Sequence, residues 1–363
     1  MSVPTQYQDA FDALMTLPPY DTPYNEKHPV LLNVLNLLHE HHVNTCSEYR
    51  NIMQTEVTGR DADTISSLPY LAVRLFKLLR LQSIGDDAIF RVLNSSGTTG
   101  QVPAYIPLDR DTSSRQSKVL VRIMQEWIGK QRLPMLIIDH PDAVKPGGQF
   151  SARGAGIQGL SFFGRDHTYA LKPDMSLDIE AIKQFRDKYS DQPVLMFGFT
   201  FMVWAHFLDS LEKSDISISF PNGILLHSGG WKKLEAQKVS NDAFKARLHT
   251  LTAITKVHNF YGMAEQVGSV FVECEHGFLH APVQSEIIVR DPFTLAVQPH
   301  GRQGLIQVMS AIPSSYPGHS ILTEDLGTIH GIDDCLCTRK GTYFSVSGRL
   351  PKAEVRGCSD TQK

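Results

Sequence analysis

The sequence is poor in cysteine, in long apolar runs and in net charge. It has five cysteines in 363 residues, and so sparse and odd a count excludes a disulfide-bonded scaffold as the basis of the fold. No apolar run approaches the roughly 18 residues of a membrane-crossing helix, so we expect no membrane span. With 35 basic and 38 acidic residues, the net charge of -3 gives no reason to expect a nucleic acid partner.

The first residues also lack the basic segment followed by an apolar one that makes a secretory signal, so we expect a cytoplasmic protein. What is present is ordinary for a globular chain, with 42% hydrophobic residues. A length of 363 residues predicts one large α/β domain or two unequal ones. A small-molecule substrate fits this composition best.

The order of apolar patterns predicts four regions. Residues 1–90 have a helical pattern and lead into the domain. Residues 91–266 alternate short apolar strands at 134–138, 194–198, 223–226 and 256–260 with amphipathic helices, which indicates a mostly parallel sheet covered on both faces. Residues 267–350 are β-rich and predict an antiparallel subdomain, with the active site in the cleft beside it. Residues 351–363 form a tail.

A run of small polar residues after the first region indicates a ligand-binding loop. No side chain there can fill a core, so its amides and hydroxyls are suited to an oxygen-rich ligand such as a triphosphate. The run consists of Ser95, Ser96, Gly97, Thr98, Thr99 and Gly100. No Lys-Ser or Lys-Thr pair follows it, which excludes a P-loop. A flexible linker is the alternative interpretation.

Later motifs supply the other groups that a nucleotide site needs. Two glycines follow one buried strand. The next strand is followed by an aromatic pair, a glycine and an acid. An aspartate and an arginine each come after a later strand. An aspartate that takes ribose hydroxyls beside an arginine would suit a nucleoside. Tight turns and a solvated surface cation are the alternatives. The residues are Gly229, Gly230, Phe260, Tyr261, Gly262, Glu265, Asp325 and Arg349.

In this order the motifs resemble the adenylate-forming superfamily of acyl and aryl ligases. Within it the chain is most similar to the acyl-protein synthetases of bacterial luminescence operons, the LuxE family, over nearly its whole length. The stretch around Pro351–Asp360 is the most specific part. The resemblance implies an α/β fold with a large adenylate-forming core and a β-rich subdomain. It also implies that the superfamily's mobile C-terminal domain is absent, because the chain stops where that domain would begin.

The resemblance also implies roles for the individual residues. The loop at 95–100 would hold the phosphates of ATP, chiefly through the hydroxyls of Ser96, Thr98 and Thr99. Gly229 and Gly230 would form the adenine-side turn. The other roles are adenine lining by Phe260 and Tyr261, Mg²⁺ binding by Glu265, and ribose binding by Asp325 with Arg349.

One departure concerns phosphate binding. The superfamily loop usually continues with a lysine, whereas Ala104 follows Pro103 here. The negative charge of the phosphates must therefore be neutralised to a greater extent by Mg²⁺ and the backbone.

For the acyl acceptor, the family relation points to Cys358. Arg356 two residues before it favours the thiolate, and Asp360 opposes this. The implied function is formation of acyl-AMP from a long-chain fatty acid, transfer to Cys358, and delivery to an acyl reductase that makes aldehyde, in a complex with an acyltransferase. An incidental terminal cysteine is the alternative. A coenzyme A ligase, an acid-activating enzyme of another pathway and a non-catalytic binding subunit remain alternatives for the whole chain.

The remaining cysteines suggest a separate metal site. Cys274, Cys335 and Cys337 with His280 offer three thiolates and one imidazole, the ligand set of a structural zinc site. Some superfamily members resembling phenylacetate ligases bind zinc through cysteines arranged in this way. His276 competes with His280 as the fourth ligand, and buried free thiols are the alternative.

Overall fold

The structure, a computed structural model, describes residues 4–55, 62–94, 103–144, 152–214, 216, 218–266 and 268–350. They divide into two compact units. The first takes its residues from 1–124 and 262–354, and the second from 125–261. The boundaries that we predict at residues 90, 266 and 350 remain predictions.

The amino-terminal part of the first unit is mainly helical. Its longest helix buries Leu31, Val34, Leu35 and Leu38, whose spacing of three and four residues places them on one face. Short 3-10 helices lie at Ile65–Ser67 and Asp86–Ala88. The elements are α1 (Thr5–Leu14), α2 (Tyr24–Thr45), α3 (Ser47–Thr55), β1 (Leu71–Ala72), α4 (Leu75–Leu78), β2 (Arg91–Asn94), β3 (Tyr105–Leu108) and α5 (Arg110–Ile128).

The second unit is built on a parallel sheet, as the alternation of strands and helices predicts. Its strand order is β5-β4-β6-β7-β8, and each neighbouring pair is parallel. The elements are β4 (Leu133–Ile137), α6 (Ala152–Ser161), β5 (Gly164–Tyr169), α7 (Ile179–Lys188), β6 (Val194–Phe199), α8 (Thr200–Met202), a π-helix (Val203–Leu208), α9 (Asp209–Lys213), β7 (Gly223–Ser228), α10 (Asn241–Thr252) and β8 (Lys256–Gly262). Because the strands are parallel, their carboxyl ends lie at one edge of the sheet.

The carboxyl-terminal part of the first unit is a sheet of antiparallel neighbours. Its order is β11-β12-β13-β14-β10-β9, and β1 pairs with β13 in parallel. The strands are β9 (Val270–Glu273), β10 (Leu279–His280), β11 (Ser285–Arg290), β12 (Gln303–Ser310), β13 (Ser320–Ile332) and β14 (Thr342–Arg349). These strands confirm the prediction that residues 267–350 are β-rich and antiparallel.

Among its amphipathic helices the sequence predicts one at 201–211 and one around 233–248. The first is confirmed, with a π-helical turn at Val203–Leu208 inside it. Two other local predictions are wrong. The helix predicted around 233–248 is a 3-10 helix at Lys232–Gln237 followed by α10, because Ser240 caps α10 by accepting a hydrogen bond from the amide of Ala243. Asp325 was expected after a strand but lies inside β13, which continues because its second half pairs with β14.

Candidate active site

Two predicted parts of the site lie outside the described residues. They are the phosphate loop, Ser95, Ser96, Gly97, Thr98, Thr99 and Gly100, and the acceptor Cys358. Their roles stay predictions.

The residues predicted to lie on the adenine side are at the carboxyl edge of the parallel sheet. Gly229 follows β7 with a φ of 84°, a left-handed conformation that favours glycine, and Gly230 comes next. The hydroxyl of Ser228 donates to the backbone oxygen of Phe260 at 2.7 Å, which joins the end of β7 to the end of β8. The structure thus brings the glycine turn beside Phe260 and Tyr261, as the sequence predicts for two neighbouring strands.

His227 at this edge has one unused nitrogen. Its Nδ1 lies 3.0 Å from the Thr200 hydroxyl, which itself donates to the Ser228 backbone oxygen at 3.2 Å. Because the hydroxyl has one proton, His227 Nδ1–H must be the donor, which leaves Nε2 as a buried acceptor with no partner in the described part of the chain. Burial lowers the pKa of His227 to about 3, so the ring is neutral.

In the first unit, the predicted ribose pair is formed. Asp325 on β13 lies directly opposite Arg349 on β14, and Arg349 Nε donates to Asp325 Oδ1 at 3.1 Å. The hydroxyl of Thr323 accepts from the amide of Asp325 at 3.1 Å, which fixes the strand at this point. Alternation along β13 gives the neighbouring Glu324 a different partner, Arg74. The arrangement holds one carboxylate and one guanidinium side by side.

Glu265, the predicted Mg²⁺ ligand, is buried in the 3-10 turn Ala264–Gln266. Burial raises the pKa of its carboxyl group, and the charge of Asp325 adds to this while the charges of Lys77 and Arg349 oppose it. The next residue, Gln266, anchors the turn by donating to the backbone oxygens of Val308 and Gly318 at 2.8 and 2.9 Å. Glu265 therefore lies within electrostatic reach of the Asp325–Arg349 pair, and its buried carboxylate oxygens are of the type that suits Mg²⁺.

The predicted metal ligands also meet in the first unit. Their ligand atoms all lie within 4.8 Å of one another. Cys274 and His280 come from the β9–β10 hairpin, while Cys335 and Cys337 come from the turn between β13 and β14, and these hairpins adjoin because β10 pairs with β14. Among the described residues the cluster includes His280 and does not include His276.

The distances within this Cys/His cluster fit a tetrahedral ion. Cys274 Sγ and Cys335 Sγ are 3.9 Å apart, and Cys337 Sγ is 3.3 Å from His280 Nε2. A tetrahedron with metal–sulfur bonds of about 2.3 Å has edges of about 3.8 Å. Burial raises the pKa of Cys335 to about 12 and lowers that of His280 to about 4. Without a metal, therefore, the thiol keeps its proton and the imidazole stays neutral.

One constellation at the carboxyl edge of the parallel sheet was missed from the sequence. Asp139 and His140 follow β4, and Arg153 is in the first turn of α6; all three side chains are buried. Arg153 Nε is 3.1 Å from Asp139 Oδ2, and Arg153 donates a second contact to His140 Nε2 at 3.0 Å. The position of Asp139 at the end of a buried strand was the available signal, but nothing local indicated Arg153.

Comparison with known proteins decides the family. The family described as acyl-protein synthetase, LuxE, matches residues 5–363. The chain belongs to the LuxE family. A long-chain-fatty-acid–luciferin-component ligase of Vibrio harveyi is 22% identical over 331 residues, which cover 88% of this chain and 84% of that protein. Its counterpart in Aliivibrio fischeri is 23% identical over 375 residues, covering 99% and 97%. The LuxE chain is thus a ligase.

Solved structures establish the fold. An open conformation of 2-hydroxyisobutyryl-CoA ligase, in complex with 2-HIB-AMP and CoA, matches with a TM-score of 0.67 over 92% of this chain and 77% of that one. The identity is 15%, so the likeness bears on the fold alone. It confirms the predicted α/β fold of this LuxE protein. Within the described ranges, each helix is too short or too polar to cross a bilayer.

Proposed function

We propose that this LuxE chain activates a long-chain fatty acid with ATP and then accepts the acyl group on Cys358. The observation that supports this best is the Asp325–Arg349 pair beside the buried carboxyl group of Glu265. These groups are suited to ribose and to Mg²⁺, and they occur in a chain whose family match extends over residues 5–363. The relatives that match most of its length are named as fatty-acid ligases.

In the first half-reaction, a carboxylate oxygen of the fatty acid attacks the α-phosphorus of ATP. The bond from this phosphorus to the bridging oxygen breaks, and pyrophosphate leaves with the bond's electron pair. The product is an acyl-adenylate, in which AMP replaces oxide as the leaving group. The step depends on in-line positioning and charge stabilisation rather than on a general acid or base.

Each part of the proposed site has one task. The hydroxyls and amides of residues 95–100 bind the phosphates, and Asp325 accepts hydrogen bonds from the ribose hydroxyls while Arg349 fixes its orientation. Glu265 provides a carboxylate ligand for Mg²⁺, which when bound offsets the negative charge on the phosphate oxygens. Tyr261 and the turn at Gly229 line the adenine.

In the second half-reaction, the thiolate of Cys358 attacks the acyl carbonyl carbon. The bond between that carbon and the AMP oxygen breaks, AMP leaves, and a thioester forms on the chain. A thioester is a suitable donor to a reductase that makes aldehyde. We propose an acyl reductase as the partner, in a complex with an acyltransferase, because family membership favours this setting.

We also propose that Cys274, His280, Cys335 and Cys337 bind a structural Zn²⁺. The donor set of three sulfurs and one imidazole nitrogen is characteristic of such sites, and the 3.9 Å separation of two sulfurs fits tetrahedral geometry. Bound in this way, the ion would join the two hairpins.

The test of adenylation is exchange of labelled pyrophosphate into ATP by the full-length protein with Mg²⁺ and tetradecanoate. We expect exchange that requires both ATP and the acid, because reversal of the first half-reaction regenerates ATP from acyl-AMP. Exchange with benzoate but not with tetradecanoate would place the enzyme in another pathway. No exchange with any acid would contradict the proposal. Release of acyl-CoA without label on the protein would favour a coenzyme A ligase.

A further inference from the structure

Two buried histidines at the carboxyl edge of the parallel sheet each have one ring nitrogen without a partner among the described residues, and the free nitrogen is a donor in one ring and an acceptor in the other. His140 follows β4 and His227 is in β7. The strands between them are in register, because Ile137 pairs with Phe197 and Gly198 pairs with His227. Both residues therefore occupy the edge at which open α/β sheets bind ligands.

The contact with Arg153 fixes the tautomer of His140. A guanidinium group can only donate hydrogen bonds, so His140 Nε2, 3.0 Å from Arg153, must be the acceptor. The proton of the neutral ring is then on Nδ1. This N–H group is buried and has no hydrogen-bond partner among the residues that the structure describes. A buried donor without an acceptor destabilises the protein, so a ligand that accepts this hydrogen bond recovers that free energy.

Asp139 completes the arrangement. Its Oδ2 lies 3.1 Å from Arg153 Nε, and its Oδ1 accepts from the backbone amide of His140 at 2.7 Å. The side chain of Asp139 is 2% exposed and that of Arg153 is 8% exposed. Their charges cancel, so an incoming anion meets no excess negative charge from this pair, while the geometry keeps His140 Nδ1–H available as a donor.

His227 has the opposite character. Its unused Nε2 is an acceptor, because Nδ1–H donates to Thr200. A carboxylate only accepts hydrogen bonds, so it pairs with His140 and not with His227. Both rings carry their proton on Nδ1, so the nitrogen that is left free, Nδ1–H in His140 and Nε2 in His227, distinguishes them.

We propose that His140 Nδ1–H donates a hydrogen bond to the carboxylate of the acid substrate, with Arg153 and Asp139 as positioning residues. The inference rests on the proposed function, for which it names the group that orients the nucleophilic carboxylate before it attacks ATP. The ligand class is a long-chain carboxylate, recognised at its head.

Equilibrium binding without nucleotide tests the inference. Full-length wild-type protein and His140→Phe are titrated by calorimetry with tetradecanoate and with 1-tetradecanol, which has the same chain but no carboxylate. We expect His140→Phe to weaken tetradecanoate binding about 10-fold to 100-fold, as for a hydrogen bond to a charged group. Binding of the alcohol should stay within about 2-fold. The matched control, His167→Phe, changes an exposed histidine on β5 and should alter neither affinity.

Equal weakening of both ligands would overturn the inference, because His140 would then only shape the pocket. Unchanged binding of tetradecanoate, or no binding by the wild type, would also overturn it. His140→Gln keeps an acceptor for Arg153 and a donor for the ligand, so its affinity should stay within about 3-fold. If His140→Phe does not fold, the test uses His140→Gln together with nitrogen-15 NMR of wild-type protein with labelled histidines. An Nε2–H tautomer of His140 would contradict the proposal.

Failure of the inference is distinguishable from failure of the proposed function. If the wild type exchanges pyrophosphate in the presence of tetradecanoate while His140→Phe binds the acid normally, adenylation stands and the role of His140 falls. If the wild type shows no exchange with any acid, the proposed function falls. Selective weakening of tetradecanoate binding in His140→Phe would then still show a carboxylate subsite.

Discussion

The two units use buried polar groups in different ways. At the carboxyl edge of the parallel sheet, His140 and His227 each have a ring nitrogen that no described residue satisfies. In the paired hairpins of the first unit, four ligand atoms converge within 4.8 Å. Unpaired ring nitrogens at a sheet edge suit a substrate that binds and is released. Converging thiol and imidazole groups suit a metal ion that remains bound.

The difference follows from the topology of the strands. Parallel strands are joined by helical crossovers, so the segment after a strand emerges at one edge of the sheet and meets the helix that follows it, as Asp139 after β4 meets Arg153 in α6. Antiparallel hairpins instead place residues a few positions apart beside those of the adjoining hairpin. Cys335 and Cys337 therefore reach Cys274 and His280 through the pairing of β10 with β14.

The largest expected effect is loss of the Cys/His cluster. Cys274→Ser should lower the metal content from one zinc per chain and reduce the free energy of unfolding by at least about 3 kcal/mol, since structural zinc contributes about 10 kcal/mol or more in small zinc domains. Elemental analysis and denaturant unfolding measure the two effects. Cys46 is a buried cysteine outside the cluster, so the Cys46→Ser protein should keep the zinc content of the wild type. Wild-type protein with substoichiometric zinc would contradict the metal site.

A smaller effect is expected at the ribose pair. Asp325→Asn should reduce kcat/KM for ATP about 10-fold to 100-fold, about 1.4–2.8 kcal/mol, because the amide is a weaker acceptor for ribose hydroxyls and for Arg349. Exchange kinetics at varied ATP measure this. Asp191→Asn, at an exposed position of the chain, is the control. An unchanged kcat/KM in Asp325→Asn would remove Asp325 from the nucleotide site.

The third effect concerns two buried histidines that stack on each other, His42 and His319. His42 uses both nitrogens, with Ser83 Oγ at 2.7 Å and the Pro313 backbone oxygen at 3.0 Å. It stacks on His319 at 5.1 Å, and burial lowers the pKa of both rings well below 6.5. Folded protein therefore keeps them neutral, whereas the unfolded chain takes up protons below about pH 6.5.

Stability from this pair is thus fully present above the unfolded pKa and is lost as the pH falls toward the lowered folded values. Each histidine should contribute about 1.4 kcal/mol per pH unit in that range. Between pH 7 and pH 5, the free energy of unfolding measured with denaturant should fall less steeply for His42→Gln than for the wild type. His249→Gln, which changes an exposed histidine, should keep the wild-type slope. Equal slopes in all three proteins would show that His42 is not neutral when folded.

Much of the fold follows from local patterns in the sequence. Buried runs such as 194–198 and 223–226 predicted β6 and β7, because parallel strands covered on both faces are continuously apolar. β5 was missed because most of its residues are only partly buried and polar. An acidic pair beside a glycine predicts a turn at Asp325, whereas pairing with β14 continues the strand through this residue.

The sequence predicts those parts of the candidate site whose residues lie together in one short motif. The order of the glycine turn, the aromatic pair and Asp325 indicates a nucleotide, and Cys274 with His280 and the pair Cys335 and Cys337 indicate a metal. The His140 group could not be found in this way. Its chemistry depends on a contact between the end of β4 and the first turn of α6, which the linear sequence does not specify.

Covalent labelling tests the central claim most directly. Wild-type protein and Cys358→Ala are incubated with ATP, Mg²⁺ and radioactive tetradecanoate, and protein-bound label and acyl-AMP are measured after denaturation. We expect acyl-AMP with both proteins and hydroxylamine-sensitive label on the wild type alone. Equal labelling of both proteins, or the absence of acyl-AMP from the wild type, would contradict it.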